Sequence, residues 1–494
     1  RYGLPEKIGG WEKVTSDALV GATRAILSYS ALNGVKYAIY GTNKKLYAYS
    51  EGNYADITPT RSTGTGNITQ FATTNGSTTV TVTDSSHGAL IGDFVTIASV
   101  GGAVNGISAA NLQGEFEILT VPDGNTYTIE AKAAASSTGN ASVTANATYQ
   151  LNTGAAVSLF GYGWGAGTWS TSTWNTSREG LTGGEGVLLQ SSKWALDNWG
   201  EDVLALQFNG GLFYWDTSDG LTSLATTTEV SGAPTKSRFM IVSGDDRHVI
   251  CLGTETTIGQ TATQDNMFIR WSDQESTNDW TPTATNTAGS FRLTDGNQIQ
   301  TAVRSRGAVM IWTDTALYAM QFIGAPLTFG FKQIGSNCGA VGINAAVDVS
   351  GNSFWMSNDS FFIYDGAVKK LPCTVQDFVF DDINKNAQQD VYCAANSNYN
   401  EVMWFYASAN SDQIDRMVTY NYAENLWYVG TLARTSWSDY GVYPVPYATQ
   451  FKSTDTTATI STITGLKAGR TFVFLHETGT EDDGSAMANH IESG

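Results

Sequence analysis

The chain has 494 residues, 27 Lys and Arg against 46 Asp and Glu, a formal net charge of −19 and 41% hydrophobic residues. That apolar share supports a sizeable core and excludes wholesale disorder. No apolar run approaches the roughly 20 residues of a helical membrane span, and an acidic chain without a Lys/Arg stripe lacks the cations that phosphate binding needs.

In chain order, the first signal is a triplet of short strands at 37–42, 45–49 and 54–57, closed by turns at Asn43-Lys44 and Glu51-Gly52-Asn53. The same grammar returns at 203–208 with 212–215, at 308–312 with 316–320, at 353–356 with 361–364, and at 401–406 with 417–420. Each copy is a strand, a turn, and a second strand carrying aromatic residues. Hairpins recurring at roughly 40–60 residue intervals have the period of propeller blades rather than of a helical solenoid. One small antiparallel sheet cannot bury both faces alone, and radial stacking lets each sheet cover the next. The expected fold is an all-β propeller of about six blades; a stacked β-sandwich array would show the same alternation.

Between 62 and 153 aromatics almost vanish and Ser, Thr, Ala and Gly take over. Strand patterns at 79–83, 94–97, 114–119 and 126–129 are separated by turns at 84–88 and 122–125. This predicts a small sandwich- or barrel-like β domain inserted in a propeller that otherwise comprises 1–61, 154–450 and a closing segment at 451–494. Just after the insertion, the stretch 161–174 spaces Trp164, Trp169 and Trp174 by five, which matches neither a strand face nor a helix face. A glycine-rich loop of this kind could pin itself to the ring, clasp a neighbouring subunit or stack on sugars, and these three tryptophans are the interface candidates.

The four cysteines, Cys251, Cys338, Cys373 and Cys393, contain no CxxC pair, and the four histidines are scattered. No zinc-type spacing exists, so no metal or other cofactor is expected, and the cysteines read as small buried hydrophobes. Asp245-Asp246, Asp381-Asp382 and Asp482-Asp483 are adjacent acids, the wrong geometry on a strand for opposed catalytic groups, and read as solvated turns. Ser218-Asp219-Gly220 and Ser272-Asp273 lack the remainder of the sialidase-type turn, and no P-loop, GxSxG elbow, HExxH or dinucleotide fingerprint occurs. No catalytic residue is assigned, and the chain is expected not to be an enzyme.

Several segments resemble the tail hub or nozzle proteins of short-tailed bacteriophages. They are Tyr2-Gly-Leu-Pro-Glu-Lys-Ile-Gly-Gly-Trp-Glu-Lys13, Leu32-Asn-Gly-Val35, Gly41-Thr-Asn-Lys-Lys-Leu-Tyr47 and Asp56-Ile-Thr-Pro-Thr-Arg61. Tyr162-Gly-Trp-Gly-Ala-Gly-Thr-Trp169, Arg270-Trp-Ser-Asp273 with Trp280, and Leu475-His-Glu-Thr-Gly479 continue the likeness. The resemblance implies a virion structural protein, a homo-hexamer below the portal and its adaptor ring. It would continue the DNA channel, help retain the packaged genome, and carry tail fibres or a needle. It implies no catalytic residue. The chain starts at Arg1 without a signal- or transit-peptide pattern, and both ends read as possible truncations, with a further β segment expected after Gly494. Under this reading Asp381, Asp382, Asp412 and Asp415 are the candidate channel-facing acids, suited to a conduit that must not grip phosphates. Two alternatives remain, a carbohydrate-binding or polysaccharide-degrading propeller that recognises a host surface, and a secreted scaffold propeller.

Overall fold

The structure is a computed structural model that describes residues 8–160, 188–244, 246–455, 463 and 466–487. Six small antiparallel sheets follow one another around a ring, each a simple meander of three or four strands. They are blade 1 (23–56), blade 2 (194–215), blade 3 (239–292), blade 4 (299–336), blade 5 (346–371) and blade 6 (392–430). The expected all-β propeller of about six blades is the observed fold. A larger sheet stands between blades 6 and 1. It is built on Ser436–Ser438, Tyr447–Lys452 and Arg470–His476, and joined by Trp11–Lys13 and Leu19–Val20 from the other end of the chain. The first strand of every sheet packs against the first strands of its two neighbours, and Ser436–Ser438 packs on both Thr23–Ser30 and Tyr392–Asn396, so the circle closes.

Local chemistry sets the hairpins. Thr42 Oγ1 accepts from Lys44 N at 3.1 Å and Lys45 N at 2.7 Å, which fixes the tight turn between Lys36–Thr42 and Leu46–Ser50. Glu51 and Gly52 both take positive φ, the primed turn geometry that matches strand twist. The middle strands are covered on both faces. Leu46–Ser50 and Glu401–Tyr406 are buried at every residue, which is why 46–49 and 402–406 read as short apolar runs.

Tryptophans tie neighbouring blades. The indole of Trp194 donates to Thr42 O across blades 1 and 2 at 2.9 Å, that of Trp355 to Cys338 O at 2.7 Å, and that of Trp437 to Ala395 O at 3.0 Å. Each buries a large ring in a blade interface and satisfies a carbonyl there, worth on the order of 1 kcal/mol net for the hydrogen bond alone.

After blade 1 the chain leaves the ring and forms a separate eight-stranded sheet from Thr60–Thr73 through Ala145–Gln150. That sheet wraps its own core, including Ile68, Phe71, Val95, Phe116, Tyr127 and Ile129. Its two ends meet where Gln150 pairs with Thr60. It is seated on the ring by buried charge. Lys45 of blade 1 bonds Asp56 and Glu115, and Glu117 accepts from the backbone N–H of Lys467. Phe94 adds an apolar contact with Tyr47, Tyr447 and Val473.

Candidate functional site

At one end of the ring, each blade begins with a polar side chain at or just before its first strand. Six of these are Arg24, Lys193, Arg238, Gln300, Asn344 and Asp390, and all but Asn344 are almost fully buried. Several reach across the axis. Lys193, leading into blade 2, lies 3.0 Å from Asp390, leading into blade 6, and also bonds Gln389 O. Arg24 of blade 1 sits 3.5 Å from the same carboxylate and donates to Ala156 O at 2.7 Å and Gln413 Oε1 at 3.2 Å. Asn344, ahead of blade 5, donates to Arg24 O at 2.9 Å. Blades 1 and 5 are not neighbours, nor are blades 2 and 6, so these contacts span the centre. The propeller axis is closed at this end by an interlocked set of side chains.

The electrostatics follow from burial. Desolvation opposes the Asp390 charge, yet Arg24, Lys193 and the Ser191 hydroxyl outweigh it and hold the carboxyl below its usual range. Lys193 is pulled down, first by burial and further by the nearby Arg24 and Arg238 charges. Burial brings Arg238 down to about 10; its guanidinium stacks over Phe208 and donates to Ile299 O at 3.2 Å.

A second concave feature, of about 520 Å³, lies between blades 3 and 4 and is lined by Ser243, Asp246, Gln274, Arg304, Phe322 and Phe329 among others. Beside it, buried His248 binds Asp246 through Nδ1 at 2.9 Å and meets Thr287 Oγ1 through Nε2 at 3.0 Å. Thr287 donates in turn to Asp273 at 2.6 Å. This resembles a nucleophile–base–acid chain only in outline. The Thr287 hydroxyl proton is committed to a carboxylate, and that oxygen also accepts from Gln274 N at 2.9 Å, so it is not poised for attack. Arg304 is anchored by Asp197 at 2.6 Å.

The sequence-predicted acids fall in one neighbourhood. Asp381 and Asp382 end the short helix Gln376–Asp382, which corrects their reading as a solvated turn: with no β partner the segment 376–382 closes its own backbone hydrogen bonds, such as Val379 N to Val375 O at 3.1 Å. The loop holding Asp412 and Asp415 pairs alongside through Ile383 and Ser408. Asp382 and Asp415 share Arg416, at 3.5 and 3.7 Å, and Asp415 also accepts from Ser408 N at 2.7 Å, whereas Asp381 and Asp412 are exposed. Trp164, Trp169 and Trp174 lie outside the described residues, as does Asp245. Cys251, Cys338 and Cys393 are buried and unpaired, and burial raises their thiols above the ordinary value. The axial residues escaped the sequence reading. Their one signal is a polar residue at the start of each blade, which looks like an exposed turn when the blades are read singly.

The fold and axis define an all-β propeller whose centre is occupied by its own side chains. No family model matches the sequence, and no curated protein matches it. Among solved structures it is similar to the phage phi92 endosialidase, at 11% identity and a TM-score of 0.21, covering 97% of this chain and 60% of that one. BamB from Moraxella catarrhalis is 12% identical with a TM-score of 0.29, over 57% of this chain and 82% of that one. AztD from Citrobacter koseri is 8% identical with a TM-score of 0.31, over 93% and 99%. The chain thus spans about three fifths of the endosialidase. At such scores these likenesses carry no argument, and the propeller is defined by its own sheet order.

Proposed function

We propose that the chain is a structural subunit of a short phage tail, a nozzle or hub protein that assembles as a ring of about six copies in the virion. The closed propeller axis carries this reading beyond the sequence resemblance. A propeller closed at one end of its axis offers no passage through itself, so a DNA conduit would form between copies and not through one. In that assembly the adaptor ring lies above, fibres or a needle attach below, and the subunits retain the genome and guide its ejection. The net charge of −19 supports a wall that repels phosphates more than it grips them. Negative-stain electron microscopy of the purified chain, alone and with virion tail components, tests this. Rings of about six copies around an axial hole are expected; particles that stay single beside an adaptor would overturn it.

The cleft between blades 3 and 4 favours a second reading, glycan recognition, because Phe322, Phe329, Gln274 and Arg304 offer an apolar face beside polar groups. Saturable glycan binding that is lost on substitution of the exposed Phe322 (Phe322→Ala), in a variant that remains folded, would support it.

A further inference from the structure

The cleft between blades 3 and 4 has two chemically different walls among the described residues. Blade 4 supplies the apolar one, from Val309, Met320, Phe322 and Phe329, and the connecting segments of blade 3 supply Ser243, Asp246 and Gln274. Val309, Met320 and Phe329 are buried, whereas Phe322 is 45% exposed. Phe322 stands where Ala316–Gly324 and Thr328–Ser336 run on past the turn that joins Ile299–Ser305 to Ala308–Thr313. Both walls are held in place. Arg304 Nη1 is committed to Asp197 at 2.6 Å and to Val242 O at 3.0 Å. Asp246 Oδ2 accepts from Ser243 Oγ at 2.9 Å and lies 2.9 Å from His248 Nδ1. Phe329 meets His248 and Trp271 edge-on, with ring centres 5.1 and 5.3 Å away. Thr328 Oγ1 donates to Thr287 O at 3.0 Å, which tethers the blade 4 hairpin to blade 3. A site whose groups are fixed beforehand loses little freedom when a ligand enters.

We propose that this cleft takes a neutral hexose unit of a glycan, with Phe322 against the C–H face of the pyranose ring and Asp246 accepting from a pair of adjacent hydroxyls. This sugar class rests on the reading of the cleft as a glycan site. A pyranose is apolar on its C–H face and polar around its rim, which is the division between the two walls. Its C–H groups meet the negative face of an aromatic ring, and covering Phe322 takes apolar surface out of water. An ionised carboxylate accepts from hydroxyls more strongly than a neutral group does. Gln274, exposed at the rim, can both donate and accept, and Arg304 keeps donors beyond Nη1. The preference for a neutral sugar follows from how the charges are paired. Arg304 faces Asp197, so its charge is met within the protein. Burial opposes the Asp246 charge, yet hydrogen bonds with His248 and Ser243 outweigh it and keep the group an anion. The carboxylate of a uronic or sialic acid would be set beside that anion and repelled. The volume of about 520 Å³ lies within the range of small-ligand sites and suits a short oligosaccharide.

The test is titration calorimetry of the full chain with two sets of oligosaccharides. Maltotriose, cellotriose and mannotriose form the neutral set, and sialyllactose and trigalacturonic acid the acidic one. Saturable binding within the neutral set and none within the acidic set is expected. Asp246→Asn keeps the size of the side chain and should weaken binding by about tenfold or more, the loss expected for hydrogen bonds to a charged acceptor. Gln274→Ala, on an exposed side chain, should weaken it several-fold and carries the test alone should Asp246→Asn not fold. Binding of the acidic set, alone or as tightly, overturns the neutral-sugar inference and leaves the glycan reading standing. Neutral binding that is lost on Phe322→Ala yet unchanged in both polar variants keeps the cleft as a glycan site and overturns the role given to Asp246. No binding of either set overturns both.

Discussion

At the scale of single residues, His476 shows how the fold sets chemistry. It is buried beneath Trp11 and Trp437, and its Nε2 accepts from Arg434 Nε at 2.7 Å. Burial, then the Arg434 charge, holds its pKa well below the ordinary value, so the folded state keeps it neutral. The folded pKa is depressed, so stability is complete above the unfolded value of about 6.5 and is lost as pH falls below it. The slope from this residue is about 1.4 kcal/mol per pH unit. His476→Gln keeps an acceptor for Arg434 without titrating, and should flatten the Tm profile between pH 7 and 5; an unchanged slope would assign the effect elsewhere. Trp355 offers a packing counterpart. Trp355→Phe loses the 2.7 Å bond to Cys338 O and part of a fully buried ring. We expect a cost of about 2–4 kcal/mol, read as a lower denaturant midpoint.

At the scale of elements, the inserted sheet behaves as a unit because its ends are paired and its core is separate. Replacing 61–149 by a short Gly/Ser linker should leave the ring folded, at a lower Tm because buried Lys45 would lose Glu115 and keep Asp56 as its remaining carboxylate among the described residues. The insertion contains no tryptophan, so the near-ultraviolet circular dichroism of the tryptophans should survive excision. Its loss would mean that the ring depends on the insertion to fold. Blade 3 shows the opposite case, an element that sequence reading passed over. Its strands Val249–Leu252, Phe268–Trp271 and Gly289–Arg292 are separated by long irregular loops, so no tight turn announces them.

At the scale of the whole molecule, the ring is closed by pairing the two ends of the chain. Trp11–Lys13 runs antiparallel to His476, Leu475 and Phe474, and Leu19–Val20 pairs with Thr471 and Arg470. Removing residues 1–20 exposes the edge of a strand that the intact chain covers, and edges of this kind recruit other chains. The truncated chain should therefore elute as aggregate or unfold at least 10 °C or so below the intact one; an unchanged monomer would show that closure is dispensable.

What the sequence determined by itself was local. The hairpins at 37–49, 308–320 and 401–420 were legible because turn chemistry and strand character act between residues a few positions apart, and the insertion because its composition breaks from its surroundings. The tertiary structure alone decided the ring closure, the pairing of Asp382 and Asp415 with Arg416, and above all the axial cluster. Arg24, Lys193 and Asp390 lie hundreds of positions apart, and each looks like a solvated charge in its own segment. Only the closing of the circle takes them out of water together, and that long-range desolvation has no trace in local pattern.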